Sequence, residues 1–273
     1  MSGSISIGRD PIRRARDLLV GYLKGSPSVL AAVRTATAPW LRIRPIEARP
    51  AWLGRLHEVA VPRLVQPYLA PSPASQANIN VIFSQLEQTQ SVDGDIAECG
   101  VWRGRTLAST ALWLQQHSVR KHVFGFDSFS GFPDDAIAVD LEMGGEPYKY
   151  KRHGAFADTS LELLIQKLAR LGLSEMVTLE AGWFSDSLPR HGNRRFSFVH
   201  LDCDVYQSYK ECLEFFYPRM SPGGVVLFDE YNDPAWPGCN RAVDEFLSDK
   251  PVGLEMIERD NHQKWFFRVH GSS

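Results

Sequence analysis

At 273 residues with 44% hydrophobic content, the chain is long enough for one large domain, or one domain with an appendage, around a sizeable core, which excludes a disordered polypeptide. Its 30 basic and 32 acidic residues leave a formal net charge of -2, so no electrostatic footprint points to nucleic acid or an anionic membrane as a partner. The cysteines Cys99, Cys203, Cys212 and Cys239 form no CxxC pair, which argues against a disulfide framework or a structural zinc and for a reduced, cytoplasmic setting.

The start, MSGSISIGRDPIRRARDLLVGYLKG, lacks the apolar centre of a signal peptide, and no run of about 18 apolar residues follows it. IRRARDLLVGYL reads as a basic amphipathic helix, which either rests on a membrane or, as expected here, packs on its own domain. Pro39, Pro45, Pro50, Pro62, Pro67, Pro71 and Pro73 divide residues 1–75 into short pieces, read as a helical N-terminal cap and a candidate contact in a homo-oligomer. SQANINVIFSQLEQTQ then sets Ile79, Ile82, Phe83 and Leu86 on one helical face, with Ser75 as N-cap, and leads into the main domain over 76–273.

From Asp95 strand-like runs alternate with helical periods. DIAECG precedes a helix over about 104–117, HVFGFD a long connection and a helix over about 160–171, and MVTLEAG a loop; FSFVHLD precedes YQSYKECLEFFYPRM, and GGVVLFDEY a helix over about 238–247. Such alternation predicts an α/β fold, a mainly parallel sheet with helices on both faces. VGLEMIE and QKWFFRV have no helix between them and should close the seven strands as an antiparallel hairpin near the sheet edge.

In open α/β sheets ligands bind beyond the carboxyl ends of the strands. Acids stand at four of those ends, Glu98, Asp127, Asp202 and Asp229, and such crowding of negative charge calls for a cation or a hydroxyl-rich ligand among them. The loop ECGVWRGRT is glycine-rich but not GxGxxG, because Glu98 stands where the first glycine would. Gly100 and Gly104 would let a ligand approach the backbone; a plain tight turn is the competing reading. Asp127 lies 27 residues beyond Gly100, where nucleoside-binding folds place an acid against ribose hydroxyls. Together they suit a cofactor with a ribose and no pyrophosphate, of which S-adenosylmethionine is one.

Neighbouring strands lie about 4.8 Å apart, so Asp202 and Asp229 should converge, with Glu230 beside them. Three hard oxygen ligands, read as having no histidine or cysteine nearby, suit Mg²⁺, Mn²⁺ or Ca²⁺ rather than zinc or copper. The competing reading makes Asp202 or Asp204 a helix cap; Asp204, immediately before the helix at Tyr206, is expected to be one. His200 shares side-chain parity with Asp202 and is either a second proton acceptor or a satisfied core histidine.

ECGVWRG, FDSFSGFPD, GWFSDSLP and LDCDVYQSYKECLEFFYPRMSPGGVVLFDEY resemble, in order and spacing over Ser75 to Arg268, the macrocin O-methyltransferase (TylF-like) family. The resemblance implies a Rossmann-like class I methyltransferase fold, S-adenosylmethionine as methyl donor, a divalent metal, usually Mg²⁺, and a small-molecule hydroxyl acceptor, often on a sugar of a natural product. By motif, Asp202, Asp229 and Glu230 take the metal positions and Asp202 also that of the base. Glu98, Gly100, Gly104, Asp127 and Ser128 take cofactor positions, and Ala181, Gly182 and Trp183 the wall near the adenine. One departure is Asp229-Glu230-Tyr231 where the family reads Asp-Asp-Tyr, a third ligand one methylene longer; another is Val205, where catechol-type relatives keep a lysine base.

The long segment from Ser130 to Ser160 reads as a lid with a part in acceptor choice, a mobile surface loop being the alternative, and His153 and Trp236 are candidates to touch the acceptor. Two rivals stand beside the methyltransferase: a nicotinamide-dependent oxidoreductase, and a methyltransferase-like binding protein that has lost its metal.

Overall fold

The structure, a computed structural model, describes residues 73–151 and 156–270, all within the compact unit Tyr68–Ser273. The expected cap over residues 1–75 and the candidate His153 lie outside the described residues, except that residues 73–75 open helix α1, Pro73–Thr89. Ser75 is therefore inside the first turn of α1 and not its N-cap, because the helix begins with the proline, whose fixed φ suits a first helical turn.

Seven strands follow: β1 Asp95–Cys99, β2 Val123–Asp127, β3 Val177–Ala181, β4 Phe196–Leu201, β5 Met220–Phe228, β6 Leu254–Arg259 and β7 His262–Arg268. They form one sheet in the order β3-β2-β1-β4-β5-β7-β6. The first five are parallel, while β7 runs antiparallel to both β5 and β6. The hairpin read from the C-terminal runs is thus present, with β7 inserted beside β5 and β6 at the edge. Chain order reverses at β1, so the crevice beyond β1 and β4 is the switch point where such sheets bind ligands.

Helices cover both faces: α2 Arg105–Gln116, α3 Asp134–Glu142, α4 Pro147–Lys151, α5 Leu161–Leu171, the single turn α6 Phe184–Ser187, α7 Tyr206–Phe216 and α8 Pro237–Leu247. Period-two alternation along β5 divides the core: Val225 and Leu227 pack with α1, α2 and α5, whereas Val226 and Phe228 pack with α7 and α8. β4 and most of β5 are buried on both sides, which is why they read as unbroken apolar runs. Ile79, Ile82 and Leu86 are buried and Phe83 partly so, as their helical spacing predicts.

Candidate active site

The cofactor half lies at the ends of β1, β2 and β3. The loop after β1 turns through Gly100, with φ 86°, where a Cβ would overlap the carbonyl oxygen of Asp202. Close packing of this loop on the exit of β4 therefore requires the glycine before any ligand is considered. Gly104, with φ 66°, is the N-cap of α2, and a Cβ there would overlap the Leu164 side chain. Both glycines thus serve the fold of the loop.

Asp127 closes β2, and three backbone donors converge on its carboxylate: Val101 N at 2.8 Å and Trp102 N at 2.7 Å on Oδ2, and Phe129 N at 2.7 Å on Oδ1. This acid ties the glycine loop to the start of the next connection, and three of roughly four lone-pair positions are used. Its burial raises its pKa, against the lowering by these same amides. Ser128 Oγ donates to Gly131 O at 2.8 Å and accepts from Ser130 N at 3.1 Å, shaping the same turn. Gly182 N donates to Asp127 O at 3.0 Å, which brings the end of β3 beside it. Trp183 follows, 41% exposed, an open aromatic face next to the Asp127 corner. An indole with a free face and an acid at a strand end fit an adenosine moiety.

Glu98 is not at the rim. It is the penultimate residue of β1, buried, in register with His200 of β4. Burial pushes its pKa well up, and the charges of Asp202 and Asp229 add to that.

The acidic half lies beyond β4 and β5. Asp202 N donates to Cys99 O at 2.9 Å and Asp229 N to Leu201 O at 2.8 Å, so each acid is placed by the strand beside its own. Asp202 belongs to two groups of donors, each with atoms mutually within 4.8 Å: one with His200 and Asp229, the other with Asp204 and Glu230. Asp229 and Glu230 are adjacent in sequence and so turn to different sides. Asp229 meets Asn78 of α1, His200 of β4 and Lys264 of β7, while Glu230 accepts from the Tyr209 hydroxyl of α7.

Two sequence expectations change here. Asp204 does not cap α7: the residue before that helix is Val205, without a side-chain cap, and the first amide, Tyr206 N, donates instead to Asp140 Oδ2 at 2.9 Å. Asp204, in the left-handed region at φ 59°, is free to join Asp202 and Glu230. His200 is buried, 1% exposed, with Nε2 at 3.3 Å from Asp229 Oδ1 and no partner for Nδ1 among the described residues. It reaches the acidic group through Asp229 and is shut off from the crevice. Trp236 is also buried, with its ring 5.0 Å from that of Tyr150 and 6.4 Å from that of Phe132, and so anchors the connection between β2 and α5.

The two central acids are driven apart electrostatically. Burial, and then the charge of Asp229, raise the pKa of Asp202 to about 6. Burial would raise Asp229 too, but Lys264 and His200 hold it well below the usual carboxylate range. Glu230 and Asp204 are pushed well up, by burial first and by their acidic neighbours next. Such a group is compact, rich in hard oxygen donors and short of cations on the Glu230 side, which fits a divalent ion such as Mg²⁺ or Mn²⁺.

Lys264 was not singled out in the sequence, nor were Asn78 and Asp140. Lys264 sits in QKWFFRV, where a lysine directly before three consecutive aromatics is the local signal of a buried partner. Asn78 and Asp140 carry no signal of this kind, since their partners lie 151 and 66 residues away.

The family model of macrocin-O-methyltransferase (TylF) matches residues 75–268. The chain is 34% identical over 182 residues to mycinamicin III 3''-O-methyltransferase of Micromonospora griseorubida, covering 65% of this chain and 69% of that one. To demethyldecarbamoylnovobiocin O-methyltransferase of Streptomyces niveus it is 33% identical, covering 66% and 68%. Among solved structures, the O-methyltransferase NovP superposes with a TM-score of 0.61 at 30% identity, covering 71% of this chain and 80% of that one. The calicheamicin methyltransferase CalS11 superposes with a TM-score of 0.64 at 21% identity over 98% of both chains, a likeness of fold. From the seven-stranded sheet, the loop at its switch point and these matches, the chain belongs to the macrocin-O-methyltransferase (TylF) family, S-adenosylmethionine-dependent O-methyltransferases of the Rossmann-like class I fold.

Proposed function

We propose that this protein transfers a methyl group from S-adenosylmethionine to a hydroxyl, most simply a sugar hydroxyl of a glycosylated natural product, with a divalent cation held at the acids beyond β4 and β5. The observation that carries the reading is the packing of Gly100, in the loop between the cofactor corner and α2, directly on the backbone of Asp202. That contact sets the donor half of the site against the one acid shared by both carboxylate groups. The sugar acceptor is supported by the names of the relatives, which include mycinamicin III 3''-O-methyltransferase and a tetracenomycin rhamnosyl 4'-O-methyltransferase of Streptomyces olivaceus.

The residues divide the work as follows. Asp127, Ser128, Gly182 and Trp183 form the corner for the adenosine, and Asp202, Glu230 and Asp204 or Asp229 supply the oxygens for the cation. Bound there, S-adenosylmethionine supplies an electrophilic methyl group and the cation a charge that favours an alkoxide. Asp202 accepts the hydroxyl proton, since its neighbour Asp229 is engaged by Lys264 and His200 and held well below the usual carboxylate range. Asp229 stays charged through Lys264, and His200 keeps it oriented. The acceptor oxygen gains the methyl carbon, the carbon–sulfur bond breaks, and the proton stays on Asp202. The connection between β2 and α5, with α3 and α4 in it, serves as a lid that keeps water out.

Calorimetric titration with S-adenosylmethionine, S-adenosylhomocysteine and NAD, each with and without Mg²⁺, tests this reading. Binding of the first two, with metal binding that Asp202→Asn removes, is expected. Binding of NAD alone would favour an oxidoreductase, and cofactor binding without any metal would favour a metal-free protein.

A further inference from the structure

Asp140 stands near the end of α3, in the connection between β2 and α5, and is fully buried. Its Oδ2 accepts the amide of Tyr206, the first residue of α7, at 2.9 Å. Gly238, in the first turn of α8, packs against the same carboxylate, where a Cβ would overlap Oδ1, and the Tyr150 hydroxyl lies 3.4 Å from Oδ1. Neither helix has a side-chain cap of its own; the residues before them are Val205 and Trp236. One carboxylate, borrowed from a distant segment, therefore caps the N-terminus of α7 and lies against the first turn of α8, where a negative charge is favoured by the exposed amides and the helix dipoles.

These two helices are the ones that follow β4 and β5. The turn into α7 contains Asp202 and Asp204, and the turn into α8 begins with Asp229 and Glu230. Asp202 and Asp229 are placed by the sheet, so the helix starts bear on the acids further along the two turns, Asp204 and Glu230. Asp140 is the side chain that ties those starts together, and it rides on the lid, whose Tyr150 and Phe132 also pack on Trp236.

We propose that Asp140 is a positioning residue for methyl transfer: the docked lid clamps the starts of α7 and α8 and so holds Asp204 and Glu230 beside Asp202 in the arrangement that binds a cation. The proposal rests on the metal-assisted reading above. It makes cation binding depend on a residue of the lid that is not itself a ligand. Substrate entry, which requires the lid to lift, would then loosen the cation site, and closure would complete it.

Two variants of the full chain test it. Asp140→Ala removes the cap of α7 and the contact with α8. Gly238→Ala leaves the charge in place but puts a Cβ where it would overlap Asp140 Oδ1, so it separates the carboxylate from α8 while suiting the helix itself. Mn²⁺ affinity is read by electron paramagnetic resonance, S-adenosylhomocysteine affinity by calorimetry, and folding by thermal melting. Both variants are expected to bind Mn²⁺ about tenfold or more weakly, as loss of a residue supporting metal ligands does, and S-adenosylhomocysteine within about twofold of wild type. Asp140→Asn, which keeps one acceptor, should fall between. Unchanged Mn²⁺ affinity in folded variants would overturn the proposal alone, as would a parallel loss of both ligands, the mark of a purely structural role. A wild type that takes up no Mn²⁺ would overturn the metal reading and this proposal with it.

Discussion

Lys264 Nζ lies 2.6 Å from Asp229 Oδ1 and 2.7 Å from the carbonyl oxygen of the same residue, so one buried lysine holds Asp229 by side chain and backbone together. Asn78 Nδ2, at 3.2 Å, and His200 Nε2, at 3.3 Å, address the same Oδ1. All three of these donors fall on one oxygen of the carboxylate. Replacing Lys264 with methionine would strand a buried anion. A loss of roughly 3–5 kcal/mol in unfolding free energy is expected, measured by urea denaturation. Since the folded pKa of Asp229 is depressed, its contribution is present above the unfolded value of about 3.9 and lost as pH falls through the folded value. The wild type should therefore lose more stability than Lys264→Met on acidification below about pH 4.

Asp140 should show the opposite sign. Burial pushes it up to about 6, against the lowering effect of the amides it accepts. The folded protein then binds more protons than the unfolded chain between about pH 4 and 6, so this group's contribution is full below that window and is lost as pH rises through it. Unfolding free energies measured across pH 4–8 should fall with pH, with a slope that Asp140→Asn makes shallower, the remainder coming from Asp202 and the other raised acids. An unchanged slope in that variant would assign the titration elsewhere.

Asp127→Ala would leave the amides of Val101, Trp102 and Phe129 without their acceptor. The glycine loop loses its tie to the end of β2, and about tenfold or more weaker binding of S-adenosylhomocysteine is expected by calorimetry. Mn²⁺ affinity should stay within about twofold, because the acids beyond β4 are placed by other bonds.

Cation binding should itself depend on pH. Asp202 must be ionised to act as a ligand, and its pKa stands at about 6 before a cation arrives. Apparent Mn²⁺ affinity is predicted to fall by up to about tenfold per pH unit below about pH 6, with Glu230 and Asp204, which are also pushed up, extending the dependence above it. Asp202→Asn should abolish that dependence along with the binding. Asp204→Asn and Asp229→Asn then separate the two groups that share Asp202: the larger loss marks which acid completes the site.

Much of this was legible in the sequence because it is local. Alternating runs such as FSFVHLD followed by YQSYKECLEFF give strand then helix, and the two final runs without a helix give the hairpin. Asp202 and Asp229 converge because they leave adjacent parallel strands, a consequence of spacing alone. What the sequence hid is long-range. The cap of α7 was assigned to Asp204 because local caps are the common case, yet the acceptor came from Asp140, 66 residues upstream. Glu230 was grouped with Asp229 because they are neighbours, whereas alternation at a strand exit sends them to opposite sides. Gly100 read as room for a ligand; the structure adds a reason the sequence did not show, since the side a Cβ would take is filled by the backbone of Asp202.

The most direct test of the whole account is mass spectrometry of the products formed from S-adenosylmethionine and a panel of glycosylated acceptors, with Mg²⁺ or with a chelator, by wild type and Asp202→Asn. The account predicts an acceptor one methylene heavier, modified on its sugar, formed with Mg²⁺ by the wild type and lost both on chelation and in the variant. Methylation that proceeds equally with the chelator, or equally in Asp202→Asn, would contradict it.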